Sequence, residues 1–553
     1  MAAETTCIGA RPWSSLYEPR VAGAVIPENG DMLSCFRAAV ARNPAGIALR
    51  YFEETWTYAQ LDERSDALGA WMNDRGVASG DRVTVILQNV PAFVLLAIAV
   101  WKLNATPVPT NPMYRGEELA RILSDAAPKM VLCDARQAGV VAEALALARI
   151  AAIVLHTDSA GGQATLAPAI FGPEAEPLAG SYRLESILGD NAGRRPPEVA
   201  AAGSDLGLLM YTSGTTGRPK GAMLSHANLA FNARVTTTWM DHDPQSIILA
   251  VAPFFHITGF VSHLASAIDA ASTMLLPFRM VPEIVLDLVR TYRPTHTVAA
   301  ITAFNALMGV PGVGPDDFAS LKRVYSGGAP IPPSLRDRIR EKLGIDIYPG
   351  FGMTETAAPT HYAPFGLRVP VDEASGALAI GVPVFKTDAI IADDEGREVK
   401  PGVAGELLLR GPQIMSGYRH LADESAATLA GGWMHSGDIA VMDAEGWFYI
   451  VDRKKDVIIA SGFKVWPREV EDCLYTHEAV REAAVIGIAD AYRGETVKAF
   501  VSLRADAQTS ANELQEYCRD RLAGYKCPRI IELLPELPKT ITGKIQRNVL
   551  RGS

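Results

Sequence analysis

The sequence predicts an α/β protein with a large N-terminal domain of βαβ subdomains and a β-rich subdomain, followed by a small α+β domain. Three observations lead there. Short apolar strands alternate with amphipathic helices from Leu33 to about Asp134. Strand-like runs broken by Asp393-Asp-Glu-Gly396, Pro401-Gly402 and Glu445-Gly446 dominate Ala377 to Tyr449. After the charged run Asp452-Arg-Lys-Lys-Asp456 the pattern changes again for roughly 100 residues, enough for a compact domain.

In order along the chain, Thr57-x-x-Gln60 reads as a capping box opening a helix that runs to Asn73. Arg82 to Leu87 is β-rich, and Pro91 to Lys102 is an apolar helix begun by proline. Thr106 to Pro109 is extended, Arg115 to Ser124 helical and Lys129 to Cys133 a strand, which completes βαβ units in a largely parallel sheet. Between about Ala160 and Ser204 the Ala, Gly and Pro content predicts an irregular connection. Further strands are expected at Leu206 to Met210 and Arg323 to Tyr325. In the last region Pro467 to Leu474 and Ala511 to Leu522 read as helices, Ala483 to Ile488 and Val497 to Leu503 as strands. The predicted organisation is 1–454, with subdomains about 1–205, 206–350 and 351–454, and then 455–553.

The chain has 553 residues, 48% hydrophobic and 21% charged, which fits a globular protein and excludes a disordered one. Lys and Arg number 52 against 62 Asp and Glu, a net charge of −10 without a long basic tract, so no nucleic-acid partner is expected. Six scattered cysteines (Cys7, Cys35, Cys133, Cys473, Cys518, Cys527) form no C-x-x-C pair, which suggests neither disulfide framework nor cysteine zinc site and suits a reducing cytoplasm. The N-terminus lacks a basic start and an apolar core, so no export signal is expected. Pro244 to Ile268 carries no Asp, Glu, Lys or Arg, but Pro253, His256, Gly259 and His263 interrupt it. A buried strand, turn and helix is expected there, and no transmembrane segment.

The most informative segment is Tyr211-Thr-Ser-Gly-Thr-Thr-Gly-Arg-Pro-Lys-Gly221, which follows a strand. Gly214 and Gly217 permit tight turns with exposed N–H groups; Thr212, Ser213, Thr215 and Thr216 offer hydroxyls, and Lys220 a cation, so the composition is that of a phosphate cradle. It is not a Walker A loop, because Gly221 and not Ser or Thr follows the lysine. A solvated turn would explain the glycines but not the order of hydroxyls, proline and lysine.

This segment resembles the signature of the adenylate-forming superfamily, which includes acyl-CoA synthetases, peptide-synthetase adenylation domains and firefly luciferase. Similar motifs recur in the same order at Tyr348-Pro-Gly-Phe-Gly-Met-Thr-Glu355, Trp433-Met-His-Ser-Gly-Asp438, Val451-Asp-Arg-Lys-Lys-Asp456, Ser461-Gly-Phe-Lys-Val-Trp-Pro-Arg-Glu-Val-Glu471 and Pro538-Lys-Thr-Ile-Thr-Gly-Lys544. The resemblance implies that Gly350, Phe351 and Gly352 form a loop on which Phe351 stacks the adenine, where relatives often have Tyr. It implies that Thr354 touches the α-phosphate, that Glu355 and Thr216 hold Mg²⁺, that Asp438 takes the ribose hydroxyls, and that Arg453 assists at the ribose or phosphate.

Lys544 would be the catalytic cation, brought over the α-phosphate by a small mobile domain that turns about a hinge at Lys455. After that movement Ser461, Gly462 and Phe463 would line a tunnel for the CoA pantetheine. His256 would border the acyl pocket and the adenylate, forming the pocket rather than acting as a base. Phe255 to Leu264 and Ser326 to Ala329, including Gly328, would supply an apolar lining.

The implied reaction uses ATP, Mg²⁺ and CoA to turn a carboxylic acid first into an acyl-AMP and then into an acyl-CoA, with positioning and electrostatics supplying most of the catalysis. Trp101 to Tyr114 and Gly462 to Glu471 look most like medium- and long-chain fatty acyl-CoA synthetases, so a fatty acid is expected and an aryl acid is the alternative. A carrier-loading adenylation enzyme would need an acidic group for a substrate amine, and none is evident near His256. A non-catalytic nucleotide binder would show decay at Lys220, Thr354, Glu355, Asp438 or Lys544, and all are present. A homodimer is compatible with the sequence.

Overall fold

A computed structural model describes residues 11–25, 30–160, 170–171, 178–212, 219–453, 456, 458–460, 463–490, 494–505, 507–540 and 545–551. Its largest sheet has nine strands and a mostly parallel centre. In order these are Val382–Pro383, Ala358–Tyr362, Ile347–Met353, Arg323–Ser326, His296–Ala299, Ile247–Leu249, Thr273–Leu276, Ile47–Tyr51 and Glu54–Thr57. A second sheet of five parallel strands runs Thr106–Pro109, Arg82–Ile86, Met130–Asp134, Ile153–Thr157 and Tyr182–Arg183.

Local sequence explains these elements. Thr57 Oγ1 accepts from Gln60 N and the Gln60 side chain accepts from Thr57 N, so the expected capping box opens the helix Tyr58–Asp74. The helix Pro91–Lys102 starts at the proline and is buried on every face, against strands of the second sheet and neighbouring helices, which is why it shows no polar stripe. Its last residue, Lys102, ends on Asp62 and Asp66, both at 2.6 Å. The uncharged stretch after Pro244 forms the strand Ile247–Leu249 and the helical run Ile257–Ala270, as expected of a buried segment. No helix among the described residues is long and apolar enough to cross a membrane.

Two smaller antiparallel sheets complete the N-terminal region. One is Gly417–Tyr418, Lys220–Ser225 and Leu206–Thr212; the other is Asp388–Ala392, Gly405–Arg410, Met434–Met442 and Phe448–Arg453. One large hydrophobic core runs from Trp13 to Tyr449. The C-terminal region has its own, built on Val480–Asp490, Gly494–Leu503 and the helices Pro467–Tyr475 and Ala511–Arg519.

Two expectations need correction. The connection after Ala160 is not irregular throughout, because Tyr182–Arg183 adds an edge strand and Leu184–Asp190 a helix anchored by buried Leu184 and Ile187. Phe351 lies on a strand and not on a loop. Ile347–Met353 continues past Gly350 and pairs with Ala358–Tyr362, because at Gly352 any Cβ would collide with the Ala358 carbonyl. In the charged run, Asp452 and Asp456 are both buried, Asp452 facing Arg547 and Asp456 facing Arg547 and Arg551.

Candidate active site

The carboxyl ends of three neighbouring parallel strands, His296–Ala299, Arg323–Ser326 and Ile347–Met353, open on one cleft, the place where ligands bind in open α/β sheets. Val298, Ser326, Gly327, Gly328, Gly350, Phe351 and Gly352 line it from the strands, Thr258 and Ser262 from the helical run, and Tyr362 and Pro359 from the antiparallel strand. The backbones approach so closely that a Cβ at Gly327 would stand 2.6 Å from the Gly350 carbonyl oxygen. Of the expected lining, Thr258, Ser262, Ser326, Gly327 and Gly328 are in place.

The lining is more polar than the sequence suggested. Thr258, Ser262 and Ser326 bring hydroxyls to it, and the Ser326 hydroxyl is buried with no hydrogen-bond partner among the described residues. Ser262 sits on a π-helical turn, Phe260–Ala265, a form of helix that is rare and concentrated at functional sites. The turn is fixed by His263, whose Nε2 accepts from Val298 N at 3.2 Å. Burial pushes His263 down to about 4, so the ring is neutral and free to accept. His256 caps the helix Ile257–Gly259, with its Nδ1 accepting from Thr258 N at 3.3 Å, and is half-buried.

Phe351 is half-buried, and its ring meets the edge of His361 at 5.8 Å. Burial lowers His361 to about 3, so this neighbour is also neutral. Three residues further on, Thr354–Thr356 is a single tight turn that brings Thr354 and Glu355 together, half-buried. Asn232, a buried residue in the helix His226–Met240, holds this turn from below, its Nδ2 donating to the carbonyls of Thr356 at 2.9 Å and Ala357 at 2.8 Å.

Thr212 and Lys220 face each other at the open end of the antiparallel pair Leu206–Thr212 and Lys220–Ser225. Ser213, Gly214, Thr215, Thr216 and Gly217, which join them, lie outside the described residues. Lys220 Nζ stands 5.1 Å from the ring centroid of Tyr418, and Tyr418 Oη donates to Glu355 Oε1 at 2.6 Å. The structure thus brings the lysine of one motif and the glutamate of another to the two sides of one tyrosine. Neither Tyr418 nor Asn232 stood out in the sequence. Tyr418 follows a Ser-Gly pair like that of many turns, and Asn232 is one of several buried polar residues of its helix, between Asn228 and Thr236.

Asp438, 1% exposed, lies on Met434–Met442, where it pairs with Arg453 of the neighbouring strand. Its N–H donates to Ser436 Oγ at 3.1 Å, and the preceding Gly437 N donates to Glu406 Oε1 at 3.1 Å. Ala329 follows the Gly327–Gly328 turn but is not among the cleft's lining. Lys455, Ser461, Gly462 and Lys544 lie outside the described residues, as do the side chains of Arg453 and Phe463. Close to those positions the chain is firmly tied. Arg547 grips Glu471 with Nη2 at 2.7 Å from both carboxylate oxygens, and Arg468 N donates to Asp452 Oδ2 at 3.2 Å.

The donor set fits a magnesium ion. Glu355 offers a hard carboxylate oxygen, Thr216 lies outside the described residues, and the described residues hold no group of three or more His, Cys, Asp or Glu able to cage a metal. One carboxylate shared with substrate phosphates is the way Mg²⁺ is commonly held.

Residues 36–419 match the AMP-binding enzyme family and residues 469–544 match the AMP-binding enzyme C-terminal domain. A long-chain-fatty-acid–CoA ligase of Bacillus subtilis is 33% identical over 98% of this chain and 97% of its own length. A feruloyl-CoA synthase of Amycolatopsis is 34% identical over 92% and 96%. Among solved structures, an anthranilate CoA ligase in complex with anthranoyl-AMP superposes with a TM-score of 0.86 at 25% identity, covering 95% of this chain and 98% of that one. ATP-bound MatB of Rhodopseudomonas palustris gives 0.83 at 25% identity, covering 95% and 99%. By its motifs, its fold and both family matches, the chain belongs to the AMP-binding enzymes of the adenylate-forming superfamily.

Proposed function

We propose that this protein is an ATP-dependent acyl-CoA synthetase that activates a carboxylic acid as acyl-AMP and passes the acyl group to CoA. The observation that carries the reading is the meeting of Lys220 and Glu355 at Tyr418, beside the cleft at the strand ends. In the first step a carboxylate oxygen attacks the α-phosphorus of ATP in line and pyrophosphate leaves. Lys220, the hydroxyl segment from Thr212 to Thr216 and Lys544 offset the negative charge gathered there, and Thr354 donates to the α-phosphate. Mg²⁺, held by Glu355 and Thr216, would neutralise the phosphate oxygens. Phe351, with the backbone of Gly328, Ala329, Gly350 and Gly352, holds the adenine, while Asp438 and Arg453 hold the ribose. His256 closes the cleft above the carboxylate.

In the second step the CoA thiol attacks the acyl carbonyl, the acyl–oxygen bond to AMP breaks, and AMP leaves. The same carbonyl must be reached from another side, so we place a hinge at Lys455, between 1–454 and 455–553. Ser461, Gly462 and Phe463 then line the thiol's path. We place this work in a reducing cytoplasm.

For the acid, a medium- or long-chain fatty acid is our first reading, supported by relatives such as the Bacillus subtilis ligase. The hydroxyls of Ser262 and Ser326, the latter without a partner among the described residues, favour a second reading, a compact aryl acid carrying a polar substituent. Acid-dependent exchange of labelled pyrophosphate into ATP, measured without CoA across fatty and hydroxylated aryl acids, tests the activity. Adding CoA should then give the thioester and AMP. If no acid in a broad panel supports exchange, the proposal is wrong even though the fold is right.

A further inference from the structure

Resting on the reading of this chain as an enzyme that uses ATP with magnesium, we propose that Tyr418 is a positioning residue: it sets the Glu355 carboxylate and the Lys220 ammonium for the nucleotide's phosphates. Its hydroxyl donates to Glu355 Oε1 at 2.6 Å, which takes up one oxygen, fixes the carboxylate plane and leaves Oε2 to face a cation. Lys220 Nζ rests 5.1 Å from the centroid of the same ring, and no carboxylate among the described residues lies within ion-pair distance of it. An aromatic face holds an ammonium in place without cancelling its charge, as a carboxylate would.

The backbone gives this arrangement its rigidity. Gly417–Tyr418 pairs with the strand that Lys220 begins, with Tyr418 opposite Ala222 and Gly417 opposite Met223. Met415 N donates to the carbonyl oxygen of Glu355 at 2.9 Å, and Tyr418 N donates to Ser425 Oγ at 2.8 Å. One short strand therefore sets the spacing between two motifs that lie well over 100 residues apart in the chain.

The test is Tyr418→Phe, which keeps the ring and removes only the hydroxyl. Calorimetric titration with ATP in the presence of Mg²⁺, and separately with ATP and EDTA, reads the metal-specific part of binding. The expected result is an affinity for MgATP about tenfold or more weaker, the usual cost of losing a partner of a metal ligand. Binding of ATP with EDTA should stay within twofold, and the KM for the acid should be unchanged. Tyr418→Leu, which removes the ring as well, should weaken binding of ATP with EDTA too, through Lys220.

In a Glu355→Gln background the Tyr418→Phe change should cost no further affinity. Unchanged MgATP binding in Tyr418→Phe, equal losses with and without Mg²⁺, or additive losses in the double variant would overturn the assignment. Failure of the wild-type protein to bind MgATP at all would instead count against the proposed function.

Discussion

Asn232 is fully buried, and its amide nitrogen is bonded to two carbonyls that directly follow Glu355, at 2.9 and 2.8 Å. Asn232→Leu keeps the approximate volume but leaves the acceptors of Thr356 and Ala357 facing hydrocarbon. Each buried acceptor left without a donor costs about 1–3 kcal/mol. Against this, the substitution removes Asn232 Oδ1, itself buried without a partner among the described residues, which returns about 1 kcal/mol of desolvation. The Thr356 hydroxyl cannot compensate, since it already donates to the Ala358 carbonyl at 2.7 Å.

The net expectation is a loss of about 1–5 kcal/mol in the N-terminal region. Because Ala357 is held at a φ of 48°, a conformation that needs its surroundings to enforce it, the turn that presents Glu355 should also loosen. Equilibrium urea unfolding gives the stability change from the midpoint at constant slope. MgATP calorimetry on the folded variant gives the loosening, expected as weaker binding. A stability change under about 0.5 kcal/mol together with wild-type MgATP affinity would refute the claim that this asparagine holds the turn, since two orphaned acceptors cost more than that.

Two further predictions concern catalysis and pH. Lys544→Ala should depress acid-dependent pyrophosphate release far more than thioester formation from supplied acyl-AMP, and equal losses in both would contradict its placement over the α-phosphate. His263 and His361 are lowered by burial to about 4 and about 3, whereas the unfolded chain titrates near 6.5. Below that pH the unfolded state binds protons that the folded state refuses. The stability these residues confer is therefore complete above pH 6.5 and is lost on acidification, by up to about 1.4 kcal/mol per pH unit for each ring. Asp472, raised by burial to about 7, acts in the opposite sense as pH falls through 7, so His361→Gln is the cleaner probe. Urea midpoints at pH 7, 6 and 5 should fall in the wild type and fall less in the variant, and a pH-independent midpoint would contradict the account.

Much of the fold was legible because its signals are local. The Thr57 capping box, the proline at the start of Pro91–Lys102 and the strand Thr106–Pro109 are each set by residues within a few positions of one another. What escaped depends on contacts distant in sequence. Phe351 looked like a loop residue among glycines, because only its pairing with His361 across the hairpin makes it part of a strand. The burial of Asp452 and Asp456 left no local signal, because their partners Arg547 and Arg551 come about 95 residues later. The motifs pointed to Lys220 and Glu355 separately, and the tyrosine between them became visible only once two strands were paired. The acyl cleft was expected to be apolar because most of Phe255 to Leu264 is apolar, yet the helix turns Thr258 and Ser262 toward it.

The central claim is that the acid is activated by forming a bond between its own oxygen and the α-phosphorus of ATP. Turnover of a substrate with both carboxylate oxygens replaced by ¹⁸O, with ATP, Mg²⁺ and CoA, tests this directly by mass spectrometry of the products. The account predicts one ¹⁸O atom in each AMP released and none in pyrophosphate. Label appearing in inorganic phosphate, or unlabelled AMP beside a completed thioester, would contradict it.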